Sequence, residues 1–234
     1  MKAPTGIDPL DRILGGGLQK GTFTLLLGAP GSGRTVICNN FIAEGLKRRE
    51  PCLYVTTSHP KYVREDLRRL GIELDRLEEE GLFRLVDCYS WVIRSWFPEA
   101  LTREKYTIEE LSLPHVLYMV SKARSELGPG GRGVFDTLTD LFIHISDKAS
   151  VVGLIRVMAA RVRELGTTAI VTLDPATQEE RWTRAVMNTA DNVLRLEMEY
   201  KGRMRRRILV LKCRGECMRP YFTFTIRDGR VVKA

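Results

Sequence analysis

Side-chain amides are nearly absent from this chain: 234 residues hold four Asn and two Gln against 37 Lys plus Arg, a bias with a thermophile flavour. Histidine is almost as scarce, at three. The C-x3-C pair Cys213 and Cys217 has no second cysteine pair beside it, which argues against zinc. Five cysteines, an odd number, exclude a disulfide framework and suit reduced, buried thiols. No apolar run approaches the ~18 residues of a membrane span, and no targeting pattern is visible at the N-terminus. A soluble, cytoplasmic protein is expected. Internal repeats, low-complexity tracts and long linkers are also missing, so residues 1–234 are read as a single domain large enough for one core.

The strongest positive signal is Gly28-Ala29-Pro30-Gly31-Ser32-Gly33-Arg34-Thr35. It meets the phosphate-loop pattern GxxxxGK[ST] except that arginine stands in the lysine position. The apolar run Phe23 to Leu27 precedes it as a strand, and Val36, Ile37, Phe41, Ile42 and Gly45 follow at helical spacing. In that setting successive backbone N–H groups and the helix N-terminus converge on one anion, ordinarily the β-phosphate of a nucleotide. Gly31 and Gly33 permit the wrap, and the Thr35 hydroxyl is placed to ligate Mg²⁺.

Strands and helices alternate through most of the chain, which predicts an α/β fold with a mainly parallel sheet flanked by helices. Strands are expected at 23–27, 52–57, 83–87, 134–138 and 168–173, and helices at 35–48, 62–70, 108–127 and 150–165. The stretch 88–107, with Trp91, Trp96 and Phe97, breaks the pattern; its aromatics could pack on the core or face a partner. Near the end the character changes. Hairpins are predicted over 193–212 and, around the Asp228-Gly229 turn, over 221–233, giving an antiparallel C-terminal edge.

A second motif, Gly133-Val134-Phe135-Asp136, ends an apolar strand on an acid about a hundred residues after the loop, where such folds hold a carboxylate near Mg²⁺. The net charge of +8 is clustered, most densely at Lys201-Gly202-Arg203-Met204-Arg205-Arg206-Arg207. Arg203, Arg205, Arg206 and Arg207 at a hairpin tip are candidate contacts for DNA or another polyanion, or else a solvated surface.

With these motifs in place the chain resembles the RecA superfamily, and within it the KaiC and archaeal RadA-paralogue branch. The opening Thr5-Gly6-Ile7 to Leu14-Gly15-Gly16-Gly17-Leu18 is similar to the family's TGI..LD.ILGGGL. Ala190-Asp191-Asn192-Val193 resembles its AD.V strand, and Leu209-Val210-Leu211-Lys212-Cys213-Arg214-Gly215 its V.K.RG segment. The resemblance implies a RecA-like P-loop core that binds ATP or ADP with Mg²⁺ held near Thr35 and Asp136. It also implies that Lys212 and Arg214 serve the triphosphate of a neighbouring subunit in a ring or filament. Two departures bear on chemistry. The family's Glu pair after the second strand is replaced at Ser58 and His59, neither a carboxylate, and Arg34 substitutes a planar guanidinium for a compact ammonium. Met218 stands where the family tends to place histidine. The expected function is a nucleotide-binding protein, weak or inactive as an ATPase, whose nucleotide controls assembly or partner binding. The alternative is a DNA-binding recombination or repair accessory protein of the RadA-paralogue kind.

Overall fold

The computed structural model describes residues 1–97, 104–200, 202, 204–215, 217–218 and 220–233. In chain order its elements begin with β1 (Lys2–Ala3), α1 (Asp8–Ile13), β2 (Leu18–Gln19), β3 (Phe23–Leu27), α2 (Arg34–Lys47), β4 (Cys52–Thr56), α3 (Pro60–Arg69), α4 (Leu74–Glu79) and β5 (Phe83–Asp87). Then follow α5 (Trp91–Trp96), β6 (Tyr106–Thr107), α6 (Leu113–Ser125), β7 (Arg132–Asp136), α7 (Thr139–His144), α8 (Lys148–Glu164) and β8 (Thr168–Leu173). The last elements are α9 (Glu180–Thr189), β9 (Asn192–Tyr200), β10 (Met204–Lys212), β11 (Tyr221–Arg227) and β12 (Arg230–Lys233).

Among the described residues, ten strands form one sheet in the order β12-β11-β10-β9-β3-β8-β7-β4-β5-β6. From β9 to β6 every neighbouring pair is parallel, and from β9 to β12 every pair is antiparallel. The α/β architecture with an antiparallel C-terminal edge is therefore the observed one. The central strands β3, β4 and β8 are buried along their whole length because both faces are covered. Their side chains alternate between two cores. Leu26, Tyr54, Val134 and Ile170 face α1, α2 and α3. Leu25, Leu27, Val55, Phe135 and Val171 face α6, α7, α8 and α9.

Local chemistry explains where the elements differ from expectation. The helix expected over 108–127 starts only at Leu113, because Pro114 is tolerated in a first turn and not inside a helix. Ile108 is buried ahead of it, its N–H bonded to Asp87 O at 3.0 Å. Within the irregular stretch, Trp91 starts α5 and packs edge-on to His144, whereas Trp96 and Phe97 are exposed. The triple glycine of the opening motif has a tight-fit reason. Gly17 has φ 123°, and a Cβ there would lie 2.3 Å from Ala3 O. No helix among the described residues is long and apolar enough to cross a membrane.

Candidate functional site

The loop from Gly28 to Thr35 leaves β3 at the C-terminal end of the strands and enters α2. Gly28 N–H bonds to Leu173 O of β8 at 3.1 Å, and Ser32 N–H closes a turn on Ala29 O at 3.1 Å. Gly33 caps α2 with φ 102°, a left-handed conformation, and a Cβ on it would meet Ile226 Cδ1 at 2.9 Å. Only glycine satisfies both conditions. Two polar atoms of the loop, Ser32 Oγ and Arg34 Nη1, are buried with no hydrogen-bond partner. Such groups are costly unless something outside the chain completes them.

Across 101 residues of sequence, the Thr35 hydroxyl donates to Asp136 Oδ2 at 2.7 Å. Sheet order brings them together: β8 lies between β3 and β7, so the ends of β3 and β7 are two strands apart. The other carboxylate oxygen, Oδ1, accepts from Thr172 Oγ1 at 2.6 Å. Thr57 Oγ1 accepts from Thr137 N, and Thr57 N donates to Asp136 O. Thr172 and Thr57 escaped the sequence reading; their one signal is a hydroxyl at or just past the C-terminal end of a largely apolar strand. Behind the acid, burial and then the Asp136 charge push the Tyr54 hydroxyl and the Cys38 thiol well above their ordinary values, with Arg34 partly offsetting the effect at Cys38. That thiol therefore senses both the loop cation and the strand-end acid.

Ser58 and His59 occupy a turn and a helix cap. Ser58 is exposed, with its N–H and C=O both bonded to Thr56 Oγ1 at 3.1 Å. His59 Nδ1 accepts from Lys61 N at 3.2 Å as the cap of α3, and its ring lies against Tyr62 and Tyr89. No carboxylate is supplied at this turn.

The arginine cluster is divided by strand alternation. Arg206 lies on the loop side, its Nε donating to Gly31 O at 3.2 Å. Arg205 and Arg207 are exposed and sit opposite Glu199 and Glu197 across the β9–β10 pair, and Arg207 stacks on Tyr221. Arg203 lies outside the described residues. A cavity of about 610 Å³ opens between Gly28, Pro175 and the arginines Arg195, Arg205, Arg206 and Arg207, and Arg195 Nε is buried without a partner.

Lys212 and Arg214 are at the other end of the sheet. β9 runs parallel to β3, with Thr24 level with Asn192 and Leu27 level with Arg195. Lys212 Nζ donates to Ala190 O at 2.5 Å, and Arg214 bonds through its N–H to Asn192 Oδ1 and through Nη1 to Asp191 Oδ1. Asp191 in turn accepts from Phe23 N. The strand from Phe23 to Gly28 spans about 17 Å at ~3.3 Å per residue, so these two cations are bonded far from the chain's own loop.

A phosphate loop after the first strand of a parallel sheet, with a hydroxyl and an acid meeting at its end, defines the class of P-loop α/β proteins. Comparison with known proteins narrows this class. The family model "ATPase: KaiC" matches residues 3–233. A UPF0273 protein of Methanocaldococcus jannaschii is 33% identical over 92% of this chain and 88% of its own length. The circadian clock protein KaiC3 of Synechocystis is 31% identical over 96% of this chain, which spans 44% of that protein. A crystal structure of a KaiC-like protein from Pyrococcus horikoshii superposes with a TM-score of 0.75 at 21% identity, covering 100% of this chain and 99% of that one. The chain belongs to the KaiC family of ATPases.

Proposed function

We propose that this protein binds ATP or ADP with Mg²⁺ at the loop Gly28 to Thr35, hydrolyses it slowly, and uses nucleotide state to control its assembly. The observation that carries the reading is the pair of buried, unpartnered groups in the loop, Ser32 Oγ and Arg34 Nη1. A phosphate oxygen accepts from both a hydroxyl and a guanidinium, so the residues present fit the group. Thr35 and Asp136, already in contact, would hold Mg²⁺, which when bound offsets charge on the β- and γ-phosphates. Arg195, Arg205, Arg206 and Arg207, which line the adjoining cavity, add positive charge on the strand side of the same site. This placement also supports reading the hairpin arginines as part of a nucleotide wall, and it removes much of the support for a DNA-reading tip.

Slow turnover follows from the turn at Ser58 and His59. A missing general base is typically worth about 10² to 10⁴ in rate, and the guanidinium of Arg34 cannot follow a moving phosphate as an ammonium does. Lys212 and Arg214 lie too far from their own loop to serve it. If they contact a triphosphate, it is one held by another copy, in a head-to-tail ring or filament, and their bonds to Ala190 and Asp191 would have to open.

Calorimetry tests the reading. Saturable binding of Mg-ATP at micromolar to millimolar concentrations, with turnover below roughly 1 per second, is the expected result. No heat of binding from a folded sample, or turnover at ordinary enzymatic rates, would overturn it. Ser58→Glu combined with Arg34→Lys should raise the rate.

A further inference from the structure

The face of the sheet opposite α2 carries a cavity that the nucleotide site does not use. It measures about 200 Å³ and lies between α6, α8 and the strands beneath them. Its floor is where the sheet's side chains are smallest: Gly133 of β7 and Ala169 of β8 are neighbours in the parallel register. A Cβ added to Gly133 would find its nearest atoms 3.7 Å away, on Ala169 and Thr167. The walls are apolar, with Leu117 and Val120 on one side and Met158 and Val162 on the other. The apolar walls are open to solvent on one side, so a ligand that fills the groove takes that apolar surface out of water.

One end of this cavity is cationic. Arg124 of α6 donates through Nη2 to Gly130 O at 2.6 Å and to Thr167 Oγ1 at 3.0 Å, while its Nη1 is buried with no partner. Burial pulls the Arg124 guanidinium below its ordinary value, as expected of a cation that lacks a neighbouring anion. Arg161 lines the same cavity but is already paired with Glu164 at 2.7 Å. The unmet requirement is thus one anionic acceptor at Arg124, attached to an apolar body.

We infer that the cavity binds a small amphipathic carboxylate whose hydrocarbon part lies over Gly133 and Ala169 and whose carboxylate accepts from Arg124 Nη1. Scaling from a cavity of about 150 Å³ that holds benzene, the occupant has roughly eight to ten heavy atoms. The site is separate from the nucleotide loop and does not depend on how that loop is read.

Octanoate and octan-1-ol, titrated into the full chain by ligand-observed NMR and by thermal melting, test the inference. Octanoate should bind saturably and raise the melting temperature by about 3 to 6 °C at ten times its Kd. The alcohol should bind at least about tenfold more weakly, since a charge-assisted hydrogen bond is lost. Arg124→Met should cost about tenfold for octanoate and leave octan-1-ol unchanged. Gly133→Val should abolish binding of both. Absence of saturable octanoate binding, as for a dry void or a groove that only a partner's helix fills, would overturn the proposal. So would binding that survives Gly133→Val, or equal affinity for acid and alcohol. Should either substituted chain fail to fold, the comparison of acid with alcohol on the unaltered protein decides by itself.

Discussion

Two groups of cations, one around the loop and one around Asp191, are held differently. At the C-terminal end of the strands, Arg34 and Arg195 keep buried nitrogens with no protein partner. At the N-terminal end, Arg163 and Arg214 both bond to Asp191, and Lys212 is held on Ala190 O. A buried donor without an acceptor costs stability, and an anion arriving from outside would supply the acceptor in the first arrangement. The second is complete as it stands and ties β9, β10 and α8 to the start of β3. The loop arginines are poised for a ligand, and the Asp191 cluster braces the fold.

The sharpest test of this contrast is Arg34→Ala. Affinity for Mg-ATP should fall on the order of 100-fold by calorimetry, from loss of charge-assisted bonds worth about 1.5 to 3 kcal/mol each. The melting temperature without nucleotide should stay level or rise, because an uncompensated cation has been removed. A large loss of stability would mean that Arg34 braces the fold as the Asp191 cluster does.

Asp191→Ala should show the reverse pattern. Removing the acceptor shared by Arg163, Arg214 and Phe23 N–H should cost about 2 kcal/mol, lowering the melting temperature by roughly 4 to 8 °C while leaving nucleotide affinity of the isolated subunit unchanged. Burial alone would raise the Asp191 carboxyl, but the Phe23 N–H, Arg214 and Arg163 outweigh it and hold it below its ordinary value. The sign follows from linkage: this stability is present above the unfolded value of about 3.9 and is lost as pH falls through the lower folded value. The difference between the parent chain and Asp191→Asn, followed by thermal melting, should therefore close in acid below the ordinary carboxylate range.

Arg206→Ser probes the strand side of the ligand end. About a tenfold loss of nucleotide affinity is expected, with little change in the salt dependence of any DNA binding. A flattened salt slope with unchanged nucleotide affinity would return the hairpin to a polyanion surface. The smallest effect on the isolated subunit belongs to Lys212→Ala with Arg214→Ala. Nucleotide affinity at high dilution should be unchanged, while light scattering should show that any Mg-ATP-dependent assembly of the parent chain is lost. A parent chain that stays monomeric with and without Mg-ATP would leave these cations as braces alone.

Much of the fold was legible because its signals are local. Phe23–Leu27 and Thr168–Leu173 read as buried strands from their apolar runs, and both strands carry those bounds. α1, α4, α5, α7 and α9 were missed; all but α9 are six-residue helices, too short for their apolar spacing to stand out. In the site, the loop and Asp136 were named from motif and position, but Thr172 was not, since threonine is common in strands and nothing nearby marks the direction of its hydroxyl.

The arginine cluster shows most clearly where sequence stops. The cluster was read only as a hairpin tip; that Arg205 to Arg207 lie within β10, and that Arg206 is the one resting on the loop, depended on β9 pairing with β3 and β10 pairing with β9. Sequence by itself determined the phosphate loop, the acid at the end of its strand, the run of parallel strands and the absence of a carboxylate at Ser58 and His59. All of these are set by residue identity and by periods of two and 3.6 along the chain. Tertiary structure alone decided that Thr35 touches Asp136, that Arg206 rests on Gly31, and that Lys212 and Arg214 lie at the far end of the sheet. Those outcomes follow from strand order, and strand order comes from crossovers that join residues a hundred or more positions apart, where local patterning carries no information.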